Sequence, residues 1–467
     1  MLRTGFASRC ITPSPGEEIP GLFERRVALG THDDLFVHAA VVDDGKTCVA
    51  IAQVDAIKVS RELVTNARRA AQRLCGISPR NCMIAATHTH SGGPVFAGFL
   101  GSPSPAYEDF VTQQIAAAIA EASRARTKVL AGVQAAPAEG VAFNRRFYMR
   151  DGTQITHPGK GNPDILKPAG PADPTVTGVG FCDPKTFKPT GCIVNFACHA
   201  THMNGLLYSA DYPRWIRDTL QAVHGPDFGV VFLNGACGDV TQVDNQSLRP
   251  QEFGPYWCER TGRVIGAAAM QALACTDYQR RASVDVATTS LQAAVRSSTA
   301  EQRREARALL AEKEVTAEDV ETIYARELLE VEKMRRHEGK CSLEIMGLRI
   351  ADALFWTVPG EFFQAMALEV RQASSFPHTC CVELANGYFG YICTKEAFSG
   401  GGYEIRSARS SYLEEDAGQM VVRKAKALAK RMHQRAEAEL KRGTRQRTWP
   451  AYTDPSALDG IEQLDGK

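Results

Sequence analysis

The amino-acid sequence predicts an α/β fold, with mixed central sheets flanked by helices. Apolar segments of strand length recur along the chain, segments with helical periodicity lie between them, and Gly- or Pro-rich turns follow many of the strands. An alternation of strand and helix favours a largely buried sheet with helices on its faces. The chain has 467 residues, of which 44% are hydrophobic, so it can bury a large core.

The first third of the chain alternates most regularly. Strands are predicted at residues 37–43 and 47–54, on either side of an Asp-Asp-Gly turn, because both segments are short and apolar. Residues 60–74 show helical periodicity and begin with a serine, which is a good helix cap. An apolar strand follows at 81–87, and the Ala-rich residues 107–125 predict a second helix.

Residues 148–174 are rich in Gly, Pro, Asp and Lys, which predicts a long surface loop. A long loop beside an active site is often a lid or a specificity element. Beyond this loop the same patterns return. They predict strands at 175–182, 191–197, 229–233 and 283–291, and helices at 211–222 and 259–273.

The segment from residue 299 to residue 336 is dense in Ala, Glu, Arg and Leu and predicts a helical hairpin. We interpret it as a helical insertion of about residues 299–340, which is either a solvated addition or an arm that binds a partner. Strands at 342–358 and 380–385 and a helix at 414–441 complete a single predicted domain, residues 1–445. Residues 446–467 are predicted to form a polar C-terminal tail.

Composition and charge argue against several functional classes. The 54 Lys and Arg residues nearly balance the 53 Asp and Glu residues, so we expect no nucleic-acid partner and no polybasic membrane patch. No signal-peptide pattern and no transmembrane segment are recognisable, and the 14 scattered cysteines indicate buried thiols in a reducing compartment. We therefore expect a cytoplasmic protein, whose oligomeric state the sequence leaves open.

Two histidine motifs follow apolar strands. His88 and His90 lie in Thr-His-Thr-His-Ser-Gly-Gly, and His199 follows the strand predicted at 191–197. Residues two apart in a strand share a face, so His88 and His90 project the same way, and active sites of α/β proteins lie at strand carboxyl ends. A metal site is one interpretation. A hydrogen-bonded pair or a phosphate contact for His88 and His90, and a structural role for His199, are the alternatives.

Three further motifs lie at the ends of apolar segments. Thr241 ends the turn Asn-Gly-Ala-Cys-Gly-Asp-Val-Thr, Glu361 follows Val-Pro-Gly, and Tyr391 and Tyr403 lie in Gly-rich loops. An ordinary strand-end turn, a helix cap and simple packing are the respective alternatives. Zinc suits a mixture of His nitrogen with carboxylate or phenolic oxygen, and a catalytic zinc keeps one position open for water.

Together these motifs resemble the neutral/alkaline (non-lysosomal) ceramidase family, in its N-terminal catalytic domain. The resemblance spans roughly residues 4–418. It rests on the order of several blocks, which are Gly5-Phe-Ala-Ser-Arg-Cys-Ile-Thr-Pro, Thr87-His-Thr-His-Ser-Gly, Asn195-Phe-Ala-Cys-His-Ala-Thr, Val358-Pro-Gly-Glu-Phe and Asn386-Gly-Tyr-Phe-Gly-Tyr.

The resemblance implies one zinc ion per chain, with His88, His199, Glu361 and Tyr391 as its ligands. It also implies that His90, Arg145 and Tyr403 contact the substrate and its oxyanion. Thr241 stands where the family has a serine, in a turn that also lacks the family's Pro and Asn, and we assign it to substrate positioning.

The resemblance predicts a zinc-dependent amidohydrolase that cleaves an N-acyl, ceramide-like amide bond with a metal-activated water. The expected partner is a small-molecule or lipid amide substrate. A zinc-dependent deacylase or esterase on a small soluble substrate is the first alternative, which the lack of a recognisable leader or immunoglobulin-like C-terminal domain favours. A non-catalytic homologue with a degenerate site is the second.

Overall fold

The computed structural model describes residues 1–102 and 104–439. It confirms the predicted fold class, since mixed sheets lie at the centre and helices flank them. The predicted tail, residues 446–467, lies outside the described residues, so the extent of the predicted domain, 1–445, stays a prediction. Within the described residues, no helix combines the length and the apolar character that crossing a bilayer requires.

The strands fall into one large sheet, a second sheet of four strands and several small ones. In chain order they are β1 (Leu2–Cys10), β2 (Gly30–Thr31), β3 (Phe36–Asp43), β4 (Cys48–Val54), β5 (Cys82–Ala86), β6 (Thr127–Pro137), β7 (Phe143–Asn144), β8 (Arg146–Met149), β9 (Gln154–Thr156), β10 (Ile165–Pro168), β11 (Thr175–Cys182), β12 (Pro189–Phe196), β13 (Leu207–Tyr208), β14 (Gly229–Asn234), β15 (Val240–Thr241), β16 (Val284–Ala294), β17 (Lys340–Ile350), β18 (Ala353–Thr357), β19 (Glu361–Phe362), β20 (His378–Val382) and β21 (Tyr391–Ile392).

Each predicted helix has a counterpart in the described residues, and the short helix at residues 395–400 was not predicted. In chain order the helices are α1 (Arg61–Cys75), α2 (Pro105–Arg124), α3 (Tyr212–His224), α4 (Pro255–Ala274), α5 (Ala300–Glu312), α6 (Val320–His337), α7 (Gln364–Gln372), α8 (Lys395–Gly400) and α9 (Ala417–Glu439). The cap predicted for the first helix is present, because Ser60 Oγ accepts a hydrogen bond from Leu63 N at 2.9 Å. Helices α5 and α6 pack against each other and form the predicted hairpin.

The large sheet has eight strands in the order β14-β12-β11-β6-β1-β3-β4-β5. Its pairs are antiparallel except at the two edges, where β12–β14 and β4–β5 are parallel. The two edges also approach each other. Phe232 N in β14 donates to Gln53 Oε1 in β4 at 3.1 Å, and Asn234 Nδ2 donates to Thr87 O, just after β5, at 3.1 Å. The curled sheet therefore brings the carboxyl ends of β5, β12 and β14 together.

The two faces of the large sheet pack against different layers, as the two-residue period of a strand requires. Val41 in β3 lies in a core cluster with Leu63 of α1 and Ile115 of α2. Its neighbour Val42 faces the other way and packs in a cluster with Leu348 and Phe355 of the four-stranded sheet β16-β17-β18-β20. The apolar residues of this second cluster lie between the two sheets and pack them against each other.

The region predicted as a loop at 148–174 differs from the expectation. It contributes to a three-stranded sheet, in the order β10-β8-β9. Each strand has only three or four residues, and Gly and Pro residues separate them, so the local sequence shows no alternating pattern long enough to indicate a strand. This small sheet lies next to the candidate site, because Arg145, just before β8, and His157, just after β9, line the same cavity.

Candidate metal centre and active site

His88 follows the carboxyl end of β5 in a strained backbone conformation, with φ of 70°. A non-glycine residue in this region costs about 1–3 kcal/mol, and such residues cluster at functional sites. Its Nδ1 lies 2.7 Å from Ile57 O. A carbonyl oxygen only accepts, so the ring proton is on Nδ1, and Nε2 presents a lone pair.

His199 follows the carboxyl end of β12 and has the same arrangement. Its Nδ1 donates to Cys237 O at 2.6 Å, which leaves the lone pair on Nε2. Burial, Arg145 and His88 lower the pKa of His199 to about 3, so its ring is neutral at physiological pH. A neutral imidazole that is held through its other nitrogen is the usual form of a metal-ligating histidine.

The Glu361 carboxylate faces both histidines. Its Oε2 lies 3.3 Å from His88 Nε2 and 3.3 Å from His199 Nε2, and it has no hydrogen-bond donor among the described residues. Three lone pairs thus converge in a buried site, an arrangement that a metal cation between them would stabilise.

His90 lies at the edge of the same group. Its Nε2 is 3.4 Å from His88 Nε2, and the possible ligand atoms of His88, His90 and His199 all lie within 4.8 Å of one another. Burial and the two neighbouring histidines lower the pKa of His90 well below its ordinary value. The structure thus brings the predicted His88, His199 and Glu361 together, and it adds His90 as a further residue that could hold a metal.

Arg145 lies beside this group and is buried. Its Nε donates to Glu404 Oε1 at 3.1 Å, its Nη2 donates to Gly238 O at 2.6 Å, and its Nη1 lies 3.2 Å from His199 Nε2. Burial opposes its charge, but Tyr403, Tyr391 and Glu404 outweigh burial and raise the pKa of Arg145 further. A fixed positive charge therefore borders the three lone pairs.

The two predicted tyrosines lie beside Arg145. Tyr391 pairs with Glu361 in the parallel ladder of β19 and β21, and its hydroxyl accepts from Arg145 Nη2 at 3.2 Å. The ring of Tyr403 lies 5.9 Å from that of Tyr391, and Tyr403 is 36% exposed. Burial raises the pKa of both phenols, so they are neutral hydroxyl groups at physiological pH.

Thr241 lies in β15 and lines the same cavity, but no base among the described residues contacts its hydroxyl group. Its Oγ1 donates to Gln242 Oε1 at 2.7 Å. A threonine nucleophile needs an adjacent general base to accept its proton. The geometry therefore suits Thr241 for positioning rather than for attack.

No family model and no curated protein sequence matches the chain. Solved structures that share its fold include two of ceramidases. The one titled "Ceramidase complexed with C2" superposes with a TM-score of 0.69 and 17% identity, over 92% of this chain and 75% of that one. The crystal structure of neutral ceramidase from Pseudomonas aeruginosa gives 0.68 and 17%, with the same coverage.

The chain has the neutral ceramidase fold. This confirms the predicted resemblance at the level of architecture, and at 17% identity the roles of individual residues rest on the geometry of this chain.

Within this neutral ceramidase fold, the histidine group opens into a cavity of about 620 Å³. Apolar surface dominates its lining, and its aromatic wall consists of Phe23, Phe96, Phe99, Phe253 and Tyr324. The rings of Phe23 and Phe99 stack at 5.3 Å, and Tyr324 packs edge-on against Phe23 at 5.8 Å. Tyr324 lies on α6, so the helical insertion forms part of the cavity wall.

Several residues that the sequence analysis did not assign complete the site. Tyr388 donates to Glu361 Oε1 at 2.7 Å, from the same motif that supplies Tyr391. Glu383 is fully buried, and its carboxylate accepts hydrogen bonds from Cys237 N at 3.0 Å and from Phe362 N at 2.8 Å. It therefore connects Cys237, whose carbonyl oxygen accepts from His199, to β19, which contains Glu361. Tyr388 lies in one of the ordered motifs, so the sequence could have indicated it as a site residue. Glu383 follows an apolar strand, and no sequence pattern distinguishes it.

Proposed function

We propose that the chain is a zinc-dependent amidohydrolase that cleaves an N-acyl amide, in the manner of a ceramidase. One observation carries the proposal: His88 Nε2, His199 Nε2 and Glu361 Oε2 converge, and no described residue donates a hydrogen bond to that carboxylate oxygen. The site opens into a largely apolar cavity. Two structures of the same fold are titled as ceramidases, which supports an amide as the bond cleaved.

The residues present fit zinc, with His88, His199, Glu361 and Tyr391 as the proposed ligands and His90 as the alternative to Tyr391. Zinc bound there would supply Lewis acidity and lower the pKa of a water molecule. Tyr391 is favoured by its place beside Glu361 in the ladder. His90 is favoured by its membership of the compact histidine group.

The other residues of the site would act on the substrate directly. Arg145 carries a fixed charge, and Tyr403 has a partly exposed hydroxyl group, so both would donate hydrogen bonds to the carbonyl oxygen as it gains negative charge. One such donor contributes about 3–4 kcal/mol to transition-state stabilisation. His90 or Tyr403 would deliver a proton to the departing nitrogen. Thr241, anchored on Gln242, would position the substrate.

Metal analysis of the purified protein tests the centre. We expect close to one zinc per chain in the wild type and almost none in the double variant His88→Ala, His199→Ala, with loss of amide hydrolysis. His337→Ala is the matched control, since His337 is an exposed histidine at the end of α6. Full zinc occupancy in the double variant would contradict the proposal.

The substrates used in the assay separate the possible activities. Hydrolysis of a long-chain N-acyl sphingoid base supports the ceramidase-like activity. Activity on short N-acetyl amides or esters alone would support the deacylase or esterase alternative. A metal-loaded protein that hydrolyses none of these would support a non-catalytic homologue.

A further inference from the structure

Lys58 lies in the cavity, close to the metal centre. It follows Ile57, whose carbonyl oxygen orients His88. Its Nζ lies 3.6 Å from the centroid of the Phe96 ring and 4.0 Å from that of the Tyr388 ring. The hydroxyl group of Tyr388 donates to Glu361. A single tyrosine side chain therefore separates the Lys58 ammonium group from the proposed metal ligand.

Lys58 differs from the two arginines that line the same cavity. Arg145 donates to the buried Glu404, and the guanidinium group of Arg409 donates two hydrogen bonds to the buried Glu327, at 2.9 and 2.6 Å. Lys58 forms no salt bridge within residues 1–102 and 104–439. Within the same residues, the contacts of its ammonium group are the two cation–π contacts with Phe96 and Tyr388. Of the three cations that line the cavity, Lys58 is the one that forms no salt bridge with a carboxylate of the described residues.

The surroundings of Lys58 leave its charge poorly solvated. Burial lowers its pKa to about 7, and Glu361 only partly opposes this effect. The two aromatic faces stabilise the ammonium ion by less than the hydration that it loses on burial. An anionic group of a ligand would restore the missing interaction, and the aromatic wall would accept an apolar chain of the same ligand.

We propose that Lys58 binds a carboxylate on the amine portion of the substrate, so that the preferred substrates are N-acyl amino acids rather than neutral ceramides. The position of Lys58 beside Tyr388 places the carboxylate next to the scissile bond, whereas the acyl chain extends along Phe23 and Phe99. Hydrolysis would break the amide C–N bond, with water adding its hydroxyl to the acyl carbon and its proton to the nitrogen. The products are a fatty acid and an amino acid. This inference rests on the proposed function.

Kinetics with paired substrates test the inference. The probes are a long-chain N-acylglycine and its methyl ester, which differ only in the carboxylate. We expect the wild type to prefer the acid, and Lys58→Met to raise KM for the acid at least tenfold with little change in kcat or in the ester kinetics. Lys58→Arg should keep the preference, and Lys46→Met, at an exposed lysine, should match the wild type. Equal effects of Lys58→Met on both substrates would overturn the proposal.

A binding measurement separates this inference from the proposed function. Calorimetry with His88→Ala, which should not turn over substrate, should show at least tenfold tighter binding of N-acylglycine than of its methyl ester. The preference should disappear in His88→Ala, Lys58→Met. A binding preference without hydrolysis by the wild type would support the carboxylate site while contradicting the amidohydrolase. Hydrolysis by the wild type without a binding preference for the acid would support the amidohydrolase and contradict the carboxylate site.

Discussion

The hydrogen bond from Tyr388 to Glu361 fixes the orientation of the carboxylate that faces both histidines. One carboxylate oxygen accepts from the phenol at 2.7 Å, and the other is directed at the two imidazoles. Removing such a partner of a ligand typically costs about 10–100-fold in metal affinity or activity. We expect Tyr388→Phe to weaken zinc binding by roughly that factor, measured by competition with a chromophoric chelator.

The matched control for this change is Tyr256→Phe, because Tyr256 is 70% exposed and lies outside the cavity lining. It should bind zinc as the wild type does. Unchanged zinc affinity in Tyr388→Phe would mean that Glu361 is held by its strand alone, or that it is not a ligand.

Asp55 predicts a pH dependence of stability, separate from the catalytic residues. Burial raises the pKa of its carboxyl group from 3.8 to about 7, although Arg217 and hydrogen bonds from Phe36 and Gln53 oppose this. The folded state therefore binds the proton more tightly than the unfolded chain. The contribution of this protonation to the free energy of unfolding is fully present below about pH 4 and falls as pH rises to about 7. It amounts to at most about 4 kcal/mol.

We expect Asp55→Asn to remove this dependence of the free energy of unfolding on pH. The free energy of unfolding in urea, measured at several values between about pH 4 and about pH 8, should fall less for the variant than for the wild type. Asp227→Asn, at an exposed carboxylate, is the control and should keep the wild-type slope. Parallel curves for Asp55→Asn and the wild type would show that Asp55 does not titrate in this range.

The turn between β14 and β15 must pack closely against β19, which makes one glycine essential. A Cβ atom at Gly238 would lie 2.6 Å from Glu361 O, and a backbone atom cannot move aside as a flexible side chain can. We expect Gly238→Ala to displace Glu361, to destabilise the fold by about 1–3 kcal/mol and to lower zinc affinity about tenfold. Urea unfolding and chelator competition measure the two effects.

Gly205→Ala is the matched control for the Gly238→Ala substitution. A Cβ atom at Gly205 meets nothing within 4 Å, so this variant should be stable and should bind zinc normally. Normal zinc binding by Gly238→Ala would mean that β19 can shift without disturbing the ligands.

The structural elements also show how far local sequence patterns reach. The strands that end before His88 and His199 could be predicted, because each is an apolar run followed by a polar turn. The small sheet β10-β8-β9 could not, since its strands are too short to show a period. The hairpin of α5 and α6 was predictable from its composition, but its contribution of Tyr324 to the cavity wall depends on tertiary packing.

At the scale of the whole molecule, the site exists because distant segments meet. The sequence suggested His88, His199 and Glu361 individually, and the resemblance ordered them, but no local pattern shows that Glu404 pairs with Arg145, 259 residues away. Nor does any pattern reveal that Lys58 forms no salt bridge with a carboxylate of residues 1–102 or 104–439, because that depends on which groups surround it in the fold. Motifs predicted the candidate ligands, whereas charge pairing required the three-dimensional structure.

The same convergence makes the proposed metal a link between separate parts of the chain. His88 follows the edge strand β5, His199 follows β12, which is next to the other edge, and Glu361 begins β19. An ion held by all three would therefore connect two distant strands of the large sheet to a later strand. Zinc that binds only the folded state stabilises it by about 2.7 kcal/mol when its free concentration is a hundredfold above Kd. We expect chelation to lower the free energy of unfolding by roughly this amount, and zinc to restore it. The double variant His88→Ala, His199→Ala should respond to neither treatment. A zinc response in that variant would place the ion elsewhere, and no response in the wild type would leave the three converging lone pairs without their cation.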